Sequence, residues 1–117
     1  MNYQAFFEHF QGVEIATDFP FESLLIEQLN DLVQEMPGFV TPERIQLLNL
    51  ALSYLESDEI YCEIGCYQGL SLIAALLNHP HVSGFAIDNF CELNPQENNL
   101  EKLTANLDKY GLVLRQP

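Results

Sequence analysis

The spacing of apolar positions changes along the chain and marks out its elements. From Phe21 to Met36 the apolar residues Leu25, Leu29, Leu32, Val33 and Met36 fall at helical spacing. Pro37-Gly38 stops that helix. Thr41 is placed to cap the next one, with Pro42 at its first position and "ERIQLLNLALSYL" running on to Leu55. Upstream, Asn2 to Phe10 predicts a short amphipathic helix with Tyr3, Phe6, Phe7 and Phe10 inward. "QGVEIATDFP" is weakly patterned and reads as a link, and "ESDE" is a polar break.

From Glu59 the period is no longer helical. "IYCEI" predicts a buried parallel strand, being short, largely apolar and rich in β-formers. "GLSLIAALLN" is apolar nearly all round, as a helix buried against a sheet would be, and "HVSGFAI" predicts a second strand. In "NPQENNLEKLTANLDKYG" the residues Leu100, Leu103, Leu107 and Tyr110 share a face, with Gly111 as the terminating glycine. "LVL" would begin a third strand. The order β-α-β-α-β is the half-unit of a doubly wound α/β sheet, a partial Rossmann-like unit. The chain therefore divides into a helical segment over 1–58, packed on the sheet, and a Rossmann-like unit over 59–117. At 117 residues both belong to one compact domain.

Charge removes whole classes of partner. There are 17 acids against four bases, a net charge of −13, and no Lys or Arg between Ile45 and Glu101. Nucleic acid and anionic membranes both require clustered cations, so neither is an expected partner. The acidity reads first as a soluble, self-repelling surface. No apolar run reaches the roughly 18 residues of a membrane span. The N-terminus has no basic signal-peptide start, so a cytoplasmic location is expected. Cys62, Cys66 and Cys91 are then reduced thiols. Their spacing gives no zinc set, and no metal is expected. His79 and His81, in "NHPH", read as exposed turn residues.

A parallel sheet of this kind binds ligands beyond the carboxyl ends of its strands, which brings Glu63–Gly69 and Asp88–Phe90 to one rim. A P-loop would need a lysine, and this loop has none. A dinucleotide fingerprint would need glycine where Tyr67 stands, because backbone must approach a pyrophosphate closely. A phosphate-free ligand avoids both conflicts, and S-adenosylmethionine is one. Its sulfonium suits an acidic rim, Gly65 allows a sharp turn near the ligand, and Gly69 lets the helix start tightly on the strand. Asp88 is suited to accept from both ribose hydroxyls. Other readings stay open for these residues. Gly65 and Gly69 equally serve a tight strand-to-helix turn, and Asp88 equally serves as a cap for the backbone amides that follow it.

"EIGCYQGLS" resembles motif I of class I S-adenosylmethionine-dependent methyltransferases, and "GFAIDNF" resembles their motif II. "PGFVTPERIQLLNLALSYL" is similar to the helical lead-in of small-molecule O-methyltransferase-like members. The resemblance covers the cofactor-side half, roughly Pro37 to Leu114. It implies that Glu63, Gly65, Cys66, Tyr67, Gln68 and Gly69 contact the methionine part. It places Asp88 on the ribose, with Asn89 and Phe90 near the adenine. The family sheet has seven strands, of which three are expected here, and no catalytic residue can be named. The first strand would then expose an apolar edge, so a homo-oligomer or the remainder of a longer chain is expected along it. The resulting expectation is methyl transfer to a small-molecule nucleophile by an S-adenosylmethionine-dependent methyltransferase, represented here by a truncated cofactor-binding half. The alternative is a non-catalytic binding or assembly module that dimerises through that edge. A nucleotide-dependent oxidoreductase is disfavoured by Tyr67.

Overall fold

The computed structural model describes residues 1–10 and 23–114, with side chains for all of these except 9, 10 and 23. The link expected over 11–20, the helix start at Phe21 and the inward side chain of Phe10 lie outside the described residues. Among the described residues, five helices and two strands follow in the order α1 (Tyr3–Phe10), α2 (Ser23–Glu35), α3 (Pro42–Leu52), β1 (Ile60–Ile64), α4 (Leu70–Leu76), β2 (Ser83–Ile87) and α5 (Asn99–Lys109). The class is mixed α/β. Among the described residues, no helix is long and apolar enough to cross a membrane.

Local sequence explains most of the boundaries. Thr41 is the N-cap of α3, its side chain accepting the Arg44 amide, and Pro42 opens the helix. At the other end of the chain, Gly111 takes φ +67°. Its amide donates to Asp108 O, and the Leu112 amide donates back to Leu107 O at 2.9 Å. That pair of bonds is the Schellman pattern, and it ends α5 where the glycine stands.

Helix α4 is the centre of the molecule. Leu70, Leu72, Ile73, Ala74, Ala75 and Leu76 are all buried. Leu70, Ile73 and Ala74 pack with Leu25, Leu29 and Leu32 of α2 and Ile45 of α3. Leu72, Ala75 and Leu76 pack with Leu52, Cys66 and Leu103, and with Tyr61 and Ala86 on the strands. Burying a leucine of this kind is worth about 1.5–3 kcal/mol, so these contacts outweigh the weak helical propensity of so short an element. Asn49 of α3 joins the two layers by a polar route. Its Nδ2 donates to Ala74 O at 2.7 Å and Leu77 O at 2.8 Å, using carbonyls that the end of α4 leaves free.

The strands pair in parallel, with Ile60 opposite Ser83 and Ile64 opposite Ile87. The Gly65 amide adds one more rung, donating to Ile87 O at 2.7 Å. Tyr61, Glu63, Gly84 and Ala86 alternate onto the helix-covered face. Gly84 fits there because an added Cβ would lie 2.8 Å from Leu76 Cδ1. On the other face Ile60, Cys62, Ile64 and Ile87 are exposed, Ile64 by 80%.

Three expectations are corrected. The third strand is not seen: residues 112–114 form no ladder, leaving a two-stranded sheet among the described residues. Leu112 is held instead by the α5 cap, and Val113 is 94% exposed. In α1, Tyr3 and Phe7 point outward, whereas Phe6 is half-buried and meets Tyr54 edge-on at 5.7 Å. Tyr3 and Phe7 are four apart and share a face, and it is the neighbouring Phe6 face that docks. His79 is not an exposed turn residue. It is half-buried, its Nε2 lying 2.9 Å from Asn49 O, and burial lowers its pKa. His81 is exposed as expected.

Candidate functional site

The loops after β1 and β2 meet at one end of the sheet, and Asp88 is what ties them. Its Oδ2 accepts the Tyr67 amide at 2.7 Å and its Oδ1 accepts the Phe90 amide at 2.8 Å. Each bond is charge-assisted and leaves a further lone pair on each oxygen. Asp88 thus does cap the backbone that follows it, and it holds the glycine loop as well. Tyr67 and Phe90 both carry positive φ, at 50° and 61°. Such strain in non-glycine residues persists only where surrounding bonds impose it, and these two are fastened by the same carboxylate.

The two glycines of the loop differ. At Gly69, φ is +102° and an added Cβ would fall 2.7 Å from Leu103 Cδ1, so the residue is pinned between α4 and α5. At Gly65, φ is +84° and an added Cβ would meet nothing within 4 Å. Packing explains the first. The second faces open space at the strand tip, where a ligand can approach the backbone.

Cavities surround this loop. One of about 140 Å³ lies between Gly65, Tyr67, Asp88 and Phe90, with Leu93 and Asn99 behind. Another, of about 170 Å³, lies between Gly65, Cys66, Leu70 and Ser71 on one side and the Pro37–Val40 segment on the other. Of the nine residues expected at the site, Gly65, Cys66, Tyr67, Asp88 and Phe90 line these spaces.

The remaining four are turned to other uses. Glu63 points to the helix-covered face, where its Oε1 accepts the Tyr61 hydroxyl at 2.8 Å and its Oε2 is buried without a partner. Burial raises its pKa, and the hydrogen bond from the Tyr61 hydroxyl offsets part of that rise. Gln68 is 3% exposed; its Nε2 donates to Asn99 Oδ1 and Glu97 Oε2, both at 2.9 Å, and its carbonyl accepts from Asn106. Gly69 is the packing glycine already described. Asn89 is exposed and folds onto its own loop, accepting the Cys91 amide and donating to Glu92 Oε1. Cys66 is 2% exposed, and burial with the nearby Asp88 and Glu63 charges pushes its thiol pKa up to about 11. Such a thiol is no nucleophile at neutral pH.

Sequence reasoning did not place Asn99, Leu93 or the Pro37–Val40 segment at this site. Asn99 is 1% exposed, and its Nδ2 donates to Leu93 O at 2.7 Å and Phe90 O at 3.2 Å while its Oδ1 receives Gln68. It joins the loop after β2 to the loop after β1 and sets both. The segment before α3 reaches the site because Gly38 lies against Leu70: a Cβ there would be 2.7 Å from Leu70 Cδ2. The "PG" pair in the sequence was a signal for this close approach, beyond its role as a helix stop. No group of His, Cys, Asp and Glu able to hold a metal ion occurs among the described residues. The chain matches no family model. It likewise matches no curated protein and no solved structure.

Proposed function

We propose that the space between Gly65 and Asp88 binds the adenosyl part of S-adenosylmethionine, and that the chain is the cofactor-side half of a methyltransferase acting on a small molecule. The unit over 59–114 is read as part of a Rossmann-like fold. The observation that carries this is the contrast between the glycines: Gly65 has positive φ and unfilled space over it, at the tip of the strand beside Asp88. The residues suit the group. Asp88 keeps free lone pairs for ribose hydroxyls after accepting its two amides, and the cavity beside it has Phe90 for an adenine edge. The neighbouring space at Cys66 and Ser71 would take the methionine part. No lysine or arginine lines either space to favour a pyrophosphate. The cofactor supplies an electrophilic methyl group, and the protein's part is to hold and orient it.

Calorimetry with S-adenosylmethionine, S-adenosylhomocysteine and NAD, on the wild type and Asp88→Ala, tests the reading. Binding of the two sulfur ligands, lost in the variant, is the expected result. NAD bound more tightly than either would sink it.

A second reading has its own observation in the exposed Ile60, Cys62, Ile64 and Ile87 face. On that reading the half-fold is a binding or assembly module that pairs through β1 and its uncovered side. Failure to bind any of the three ligands, together with a concentration-dependent dimer in sedimentation, would favour it.

A further inference from the structure

We propose that a second compartment, between the segment before α3 and the loop after β2, binds the flat, uncharged, apolar body of a small molecule. It has a volume of about 330 Å³ and is lined by Pro37, Gly38, Phe39, Tyr67, Leu93 and Asn94. Five of these also line the neighbouring space at Cys66 and Ser71, so the two share walls. On the cofactor reading the occupant is the methyl acceptor. That assignment rests on the reading above, whereas the compartment does not.

Its chemistry follows from what lines it. None of the six residues is charged, in a chain whose net charge is −13. A charged ligand would lose hydration here without gaining a counter-charge. The two polar tips engage one another, Asn94 Nδ2 donating to the Tyr67 hydroxyl at 2.8 Å. What remains to face a ligand is ring and aliphatic surface. Phe39 is 82% exposed and Leu93 is 39% exposed at the same opening, so two large apolar side chains stand in water beside one concavity. Aromatic and aliphatic walls with few polar groups are the usual make-up of a small-molecule site.

The walls are also fixed in place. Gly38 allows its segment to lie directly on Leu70. Tyr67 is held with φ +50° by Asp88 at its amide and by Asn94 at its hydroxyl. The Leu93 carbonyl accepts from buried Asn99. Anchors at Gly38, Tyr67 and Leu93 hold these parts of the cleft in place before a ligand arrives, which lowers the ordering cost of binding.

The chain has no tryptophan, so Phe39→Trp places a single indole at the opening. Titrating that variant with 1-naphthol at neutral pH is expected to change its emission saturably. The charged analogues 1-naphthalenesulfonate and 1-naphthylmethylammonium, and Leu93→Asp in the same background, are each expected to bind at least tenfold more weakly. Amide shift mapping on the wild type with 1-naphthol guards against a misfolded variant, with movement expected at Phe39, Tyr67, Leu93 and Asn94. Unsaturable emission, equal binding of the charged analogues, or shifts confined to the Ile60 and Ile64 face would overturn the proposal. Naphthol binding without S-adenosylmethionine binding supports the compartment and overturns its assignment to a methyl acceptor.

Discussion

The Asp88 carboxylate receives the Tyr67 amide at 2.7 Å, across the gap between the two strand tips. A second amide, from Phe90, reaches its other oxygen. A net contribution of about 1.5–3 kcal/mol is typical of a hydrogen bond to a charged group. Asp88→Ala is therefore expected to lower the unfolding free energy in urea by about 2 kcal/mol. Asp88→Asn retains an acceptor for one amide and should lose less. Equal stability of wild type and Asp88→Ala would show that the tie contributes nothing.

The two loop glycines should separate packing from ligand approach. Gly69→Ala combines positive φ with a contact 2.7 Å from Leu103, and is expected to cost about 2–4 kcal/mol. Gly65→Ala meets no atom and carries only the left-handed backbone cost, about 1–2 kcal/mol. Cofactor binding, where calorimetry detects it, should nevertheless fall at least tenfold in Gly65→Ala. Comparable unfolding losses in the two variants would remove the distinction.

Glu63 predicts a pH dependence of known sign. Its folded pKa is raised, chiefly by burial, so the folded state favours the protonated carboxyl. The associated stability is fully present below the ordinary value of 4.5 and is lost as pH rises through the raised one. Glu63→Gln has no carboxylate to ionise. Its stability relative to wild type should increase between pH 4 and pH 7, as followed by urea midpoints. A constant difference over that range would mean that Glu63 titrates normally.

The three thiols should divide by exposure. Cys62 and Cys91 are exposed, while Cys66 is buried with its pKa pushed up to about 11. An aromatic disulfide reagent at pH 8 is expected to modify two thiols in the folded protein and the third only in denaturant. Cys62 lies on the uncovered sheet face, so its protection at high protein concentration would report association through that face. Rapid reaction of all three would contradict the buried position of Cys66.

Much of the fold was legible because apolar spacing reports it directly. The helical stripe of α2, the Thr41-Pro42 start of α3 and the Gly111 stop of α5 all stand where their residues put them. The "LVL" run was less informative, since a strand also needs a partner, and Leu112 is taken up by the helix cap. Buried polar residues were the larger omission. Periodicity treats Asn49, Gln68 and Asn99 as surface positions, yet each is buried: Asn49 and Asn99 donate to helix-end and loop carbonyls, and Gln68 donates to the Asn99 and Glu97 side chains. At the site, Gly65 and Asp88 were legible from their places after the strands. The apolar wall at Phe39 and Leu93 was not, because it is assembled from segments far apart in sequence.

The rung from the Gly65 amide to Ile87 O joins the two strand tips, next to the cavity that Gly65 and Asp88 line. Backbone pairing holds neighbouring strands about 4.8 Å apart, whatever side chains they carry. The spacing of the tips is thus inherited from the peptide group itself. On the proposed reading, substitutions along the rim would alter which molecule is recognised while the spacing of the two strand tips stays the same, so this end of the sheet would change its ligand without being rebuilt.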